Sequence, residues 1–160
     1  MKSLNIKAIE FAQTVSEMGI YWKSKSKEKK NIRNSREAYH IFKPFYDNWG
    51  VMEQKEIFSV AYLNNDNKVI AVLKVSEGAA TSTIVDIPFI FRGAIMTNAV
   101  AIILCHNHPS GKLNPSEQDK NITKQIIDAA KLLQMQIIDH MIITESEFEN
   151  YYSFADEGII

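Results

Sequence analysis

The run AVAIILCHNH, residues 99–108, constrains the fold more than any other stretch of this chain. It is apolar at nearly every position until it ends in Cys105-His106-Asn107-His108. A strand that alternates would need one covered face; a continuous apolar run needs both faces covered, so it predicts a central strand in a layered sheet. IIDHMII, residues 137–143, has the same character and predicts a second buried strand.

The flanking patterns supply the layers. EIFSVAYLNNDNKVIAVLKVSEG reads as a β-hairpin, with two β-branched and aromatic runs around Asn-Asn-Asp-Asn, residues that tolerate left-handed turn geometry. VDIPFIFRGAIMTNA suits a helix capped by Asp86, with Pro88 in its first turn and Phe91, Ala94, Ile95 and Ala99 on its apolar face. Beyond the central strand, Ile122, Ile126, Ala129, Ala130 and Leu133 form a helical stripe. Upstream, Ser35 is placed to cap a helix carrying Ala38, Tyr39, Ile41, Phe42 and Phe45, bent or stopped by Pro44. Leu4, Ala8, Phe11, Ala12, Val15 and Met18 predict a short amphipathic helix ending at Gly19, and the tail EFENYYSFADEG is expected to fold back on the sheet. The order α–α–ββ–α–β–α–β describes a mixed sheet flanked by helices, an α/β or α+β layered domain.

Residues 1–31 read as a helix and basic linker, and residues 32–160 as the domain. Seven of the 18 basic residues fall between Lys23 and Arg36, among them Lys23, Lys25, Lys27, Lys29 and Lys30. The run reads as a solvated linker rich in Lys, Ser and Asn; the alternative is a phosphate grip on nucleic acid. The overall charge of −1 exerts no general pull on polyanions. No run of about 18 apolar residues and no secretory h-region appear, so neither a membrane partner nor export is expected. The single cysteine, Cys105, excludes an internal disulfide and suits a reducing cytoplasm. The sequence leaves oligomeric state open.

Side-chain alternation places His106 and His108 on one face of the strand, with Cys105 and Asn107 on the other. Pro109 favours extended geometry at His108, Ser110-Gly111 turns the chain, and Asn114-Pro115-Ser116 opens the next helix with Asp119 in its first turn. Two imidazoles and a carboxylate can thus converge on a divalent cation. Zinc suits them, because catalytic zinc takes three protein ligands and lowers the pKa of a bound water from about 16 toward about 7. A structural reading competes: Ser116-x-x-Asp119 also has the spacing of a capping box, and a strand histidine is often a hydrogen-bonded core residue.

His106-x-His108-Pro109, six residues, then Ser116-x-x-Asp119 resembles the JAMM motif of JAB/MPN-domain zinc metalloproteases. HNHPSG, PSxxD, DHMIIT and YSFADEG resemble the bacterial RadC-like branch over roughly residues 32–160. The resemblance implies a JAB/MPN fold of cytidine-deaminase-like architecture and one zinc per chain, held by His106, His108 and Asp119. It further implies that Ser116 polarises the substrate carbonyl or orients the water, and that Glu56, with Glu53 as the fallback, is the general acid/base. Asp139 and His140, matching the branch's DHII segment, are expected beside the site, or else as a buried ion pair.

The resulting expectation is a zinc-dependent hydrolase acting on a peptide or protein amide bond. The alternatives are a DNA-associated accessory protein of the RadC type and a non-catalytic binding module. Longer RadC proteins carry an N-terminal helix-hairpin-helix module, which residues 1–31 are too short to form, and the loop SEGAATSTIVD is poorer in glycine than the branch's usual version. The letters His-Asn-His are no evidence for an HNH nuclease, and one cysteine cannot complete the Pro-Cys-x-x-Cys of a zinc deaminase.

Overall fold

A computed structural model of the chain describes residues 30–50, 52–78, 84–146 and 148–160. The helix expected over residues 4–18, and Lys23, Lys25, Lys27 and Lys29, lie outside the described residues, as does residues 79–83 of the loop after the hairpin. Lys30 is exposed, and its backbone carbonyl accepts a hydrogen bond from Val69 N–H.

Three helices and five strands are described, in the order α1 (Ser35–Trp49), β1 (Ile57–Leu63), β2 (Val69–Glu77), α2 (Ile87–Thr97), β3 (Ala101–Asn107), α3 (Glu117–Leu132), β4 (Gln136–Ile143) and β5 (Tyr151–Ser153). They build one mixed sheet in the spatial order β2-β1-β3-β4-β5, an α+β layout with the apolar run as its middle strand. β3 is antiparallel to β1 and parallel to β4, with helix α3 as the crossover that a parallel pair requires. The hairpin turn is held by the Asn64 side chain, which accepts from Asp66 and Lys68 N–H, and by Asn67 in the left-handed region at φ 55°. β5 closes the far edge against β4, as expected of the tail.

Strand alternation sorts the core into two layers. Ile57, Ala61 and Leu63 of β1, with Ala101, Ile103 and Cys105 of β3, pack beneath Tyr39, Phe42 and Tyr46 of α1. Phe58, Val60, Tyr62, Ile102 and Leu104 face Ile90, Phe91 and Ala94 of α2 and Ile126 and Ala130 of α3. Every residue of β3 is buried.

Local details differ from the sequence reading. The cap of α1 is Asn34, not Ser35: its side chain accepts from Glu37 N–H, while the Ser35 hydroxyl donates to Asp156. Pro44 does not stop the helix, which runs to Trp49 and ends at Gly50 in the left-handed region at φ 67°. A helix interior proline forgoes one i→i−4 bond; here the buried face of Tyr39, Phe42 and Tyr46 spans the defect and holds the helix down. Ile95 and Leu133 are exposed, because the docked face of α2 is set by Ile90, Phe91 and Ala94, and because Leu133 is the residue that ends α3 beyond its sheet contact.

Candidate metal centre

The site forms where β3 leaves the sheet. Alternation turns Asn107 toward the α1 layer, where its Oδ1 accepts from Ile57 N–H and its amide donates to the carbonyls of Met52 and Lys55. His106 and His108 turn to the opposite face. His108 extends the ladder through its N–H to Ile143 O, and Gly111, at φ 74°, supplies the left-handed turn that a side chain would disfavour. The turn places the Lys112 carbonyl 2.7 Å from His108 Nδ1. A carbonyl only accepts, so Nδ1 carries a proton, and the neutral form of His108 has its lone pair on Nε2.

Helix α3 then starts at Ser116. Ser116 Oγ accepts from Asp119 N–H, and the Asp119 carboxylate takes the Ser116 N–H at 2.7 Å and its hydroxyl at 2.6 Å. The capping box of the competing sequence reading is therefore real, and the same carboxylate also faces the histidines. Asp119 Oδ1 stands 3.2 Å from His106 Nε2 and Oδ2 stands 3.6 Å from His108 Nε2, with the two Nε2 atoms 2.9 Å apart.

These three side chains form a group that could hold a metal ion, with ligand atoms all within 4.8 Å of one another. Zinc bonds of about 2.0–2.2 Å at tetrahedral angles require ligand atoms about 3.3–3.6 Å apart. The two Nε2 atoms, 2.9 Å apart, and Asp119 Oδ1, 3.2 Å from His106 Nε2, stand a few tenths of an ångström closer than that spacing, so the chemistry of the donor set fits a metal ion after a small side-chain adjustment.

The electrostatics agree with a cation site. Although burial opposes it, the two imidazoles and the Ser116 hydroxyl hold the Asp119 carboxyl far below the usual carboxylate range. Burial works to lower His108, but Asp119 and the Lys112 carbonyl carry it above the usual histidine value. Burial, reinforced by the charge of Asp119, raises Glu56, with the histidines acting against it.

Glu56 lines the same cleft, of about 820 Å³, together with Phe58, His108, Lys112, Ser116 and Asp119. Glu53 is exposed and lines a separate hollow with Asp47 and Glu145. The Ser116 hydroxyl, with its proton committed to Asp119, presently serves the carboxylate. Asp139 and His140 part company: Asp139 accepts from Ser153 Oγ, Ala155 N–H and His140 N–H on the α1 side, and makes no ion pair with the His140 side chain. His140 lies against His106, its Nε2 2.8 Å from His106 Nδ1. Burial keeps His140 well below the usual histidine range. Two contributors escaped the sequence reading. Thr123 lies one helical turn beyond Asp119, a spacing that could have flagged it, whereas the partners of Asn107 could not be read from any local pattern.

A mixed sheet whose central strand delivers two histidines, joined by a capped helix that returns an aspartate to them, defines a JAB-type domain with a candidate metal centre. The chain belongs to the RadC-like JAB domain family, which it matches over residues 32–159. It is 47% identical over 130 residues to a UPF0758 protein of Flavobacterium johnsoniae, covering 81% of this chain and 54% of that protein. It is 39% identical over 132 residues to a UPF0758 protein of Porphyromonas gingivalis, covering 82% and 56%, and 40% identical over 107 residues to one of Clostridioides difficile, covering 67% and 44%. The chain thus spans about half the length of the curated relatives it matches.

Proposed function

We propose that this chain is a zinc-dependent hydrolase of amide bonds, acting on a peptide or protein, with one zinc held by His106, His108 and Asp119. The observation that carries the reading is the convergence of two imidazole Nε2 atoms and one carboxylate beside a half-buried glutamate in one cleft. Zinc bound there would supply Lewis acidity and bring the pKa of water toward about 7. Glu56 takes the proton from the attacking water and returns it to the leaving nitrogen; its raised pKa suits a group that must do both near neutral pH. Ser116, on releasing Asp119 Oδ2, offers its hydroxyl to the carbonyl oxygen. The cleft favours a peptide over a nucleic acid, since Lys112 is the one cation among the described residues that line it, set against Glu56 and Asp119.

Elemental analysis of the purified chain beside His108→Ala and Asp119→Ala tests the metal. About one zinc per chain, lost in both variants, is expected; no zinc in any sample after loading and removal of excess overturns the reading. Glu56→Gln should retain zinc and lose hydrolysis of a peptide and isopeptide panel by about 10²–10⁴-fold, the usual worth of a general acid/base. Wild-type levels of hydrolysis in that variant would remove Glu56 from the mechanism.

A further inference from the structure

We infer that His140, held by Thr123, is a positioning residue that fixes the tautomer and ring orientation of His106 for metal binding. The inference rests on the reading of His106 as a zinc ligand and explains how that ligand is prepared.

Proton accounting along the hydrogen-bond chain leads to it. Thr123 Oγ1 lies 2.5 Å from the backbone carbonyl of Asp119. Two oxygens that close repel unless a proton lies between them, and a carbonyl has none to give, so the hydroxyl donates its single proton there. The same Oγ1 lies 2.5 Å from His140 Nδ1, and must therefore accept, which puts the His140 proton on Nδ1. Nε2 of a neutral His140 is then a lone pair, 2.8 Å from His106 Nδ1. A neutral His106 must then donate from Nδ1, leaving its lone pair on Nε2, 2.9 Å from the lone pair of His108 and 3.2 Å from a carboxylate oxygen of Asp119. Three acceptors that close need a cation among them, the place the proposed zinc would take.

The surroundings leave little freedom to this arrangement. His140 is 0% exposed and His106 1% exposed. The Phe58 ring stacks on His106 at 6.0 Å and meets His140 edge-on at 5.5 Å, while Phe154 stacks on His140 at 4.7 Å. The contrast with His108 explains the device: that ring, at the rim, is oriented by the nearby Lys112 carbonyl, whereas His106 is sunk among apolar rings and takes its partner from β4. One turn of α3 supplies both ends of the apparatus, Asp119 as ligand and Thr123, four residues on, as anchor. Partners of this kind typically account for about 10–100-fold in metal affinity.

The test uses zinc competition against a chromophoric chelator on the wild-type chain, Thr123→Val and His140→Leu, with long-range 1H–15N correlation spectra of the histidine rings. Thr123→Val is nearly isosteric and serves if His140→Leu fails to fold. The expected results are an Nδ1–H tautomer for both His140 and His106 in the wild type, a mixed His140 population in Thr123→Val, and zinc affinity reduced about tenfold in Thr123→Val and up to about 100-fold in His140→Leu. A wild-type His106 protonated on Nε2, or Thr123→Val affinity within about twofold of a zinc-binding wild type, overturns this inference alone. A wild type that takes up no zinc overturns the ligand reading and this inference with it.

Discussion

Asn107, the middle residue of His-Asn-His, faces away from the candidate metal centre and should nonetheless be among the costliest side chains to remove. It is 0% exposed, and all three of its side-chain hydrogen bonds reach the start of β1 and the segment that leads into it. Asn107→Ala strands Ile57 N–H and Met52 C=O in the interior, while Lys55 C=O, only partly buried, can turn to water. At about 1–3 kcal/mol for each buried group left unpaired, the loss should be about 3–4 kcal/mol. That is a large share of the roughly 5–15 kcal/mol typical of a domain's stability. Asn107→Asp separates hydrogen bonding from volume: it keeps an acceptor for Ile57 but points a carboxylate oxygen at two carbonyls. Its folded-state pKa must rise, so Asn107→Asp should be least impaired below the unfolded aspartate value of about 3.9 and lose stability as pH rises above it. Urea denaturation of all three proteins at several pH values, analysed by linear extrapolation, measures both effects. An Asn107→Ala loss below about 1 kcal/mol at unchanged slope would refute the reasoning, since it would mean the stranded groups find other partners. Because Ile57 adjoins Glu56, the same variant should disturb the glutamate more than the candidate metal-binding side chains.

Two further outcomes test the fold and its surface. Gly93→Ala, which in an ordinary helix interior would gain about 1 kcal/mol, should lower the melting temperature, because the new methyl would sit 2.2 Å from the Tyr62 hydroxyl oxygen and 2.7 Å from Cζ. Tyr62 cannot step aside without giving up its bond to Ile90 O; a melting temperature at or above wild type would show that it can. Glu77, bonded by Lys55 and Lys74, should titrate at about 2 rather than the ordinary 4.5 in a carboxyl-detected NMR titration at low salt. As a depressed carboxylate it contributes stability that is present above 4.5 and lost as pH falls toward 2, and this should shrink in 1 M salt because the group lies at the surface. A salt-independent value would count against the lysine attribution.

Much of the site was legible because its logic is local. A continuous apolar run implies a strand covered on both sides, a two-residue period puts His106 and His108 on one face, and a proline, a turn and a cap return Asp119 in the first turn of the next helix. Each of these depends on neighbours within about fifteen residues along the chain. That Glu56 lines the cleft while Glu53 does not rests on more distant contacts: the antiparallel pairing of Phe58 with His106 brings the residue two before Phe58 to the cleft. The parting of Asp139 from His140 was implied by alternation, but which of them meets His106 was set by the parallel register of β4 on β3. The sequence pattern assigned the cap of α1 to Ser35; in the structure Asn34 caps the helix and the Ser35 hydroxyl bonds Asp156 of the tail instead. The sequence by itself determined which side chains share a face, since that depends on backbone period alone. Tertiary structure decided which faces meet and at what register, because strand pairing is fixed by the packing of two layers built from residues far apart in the chain.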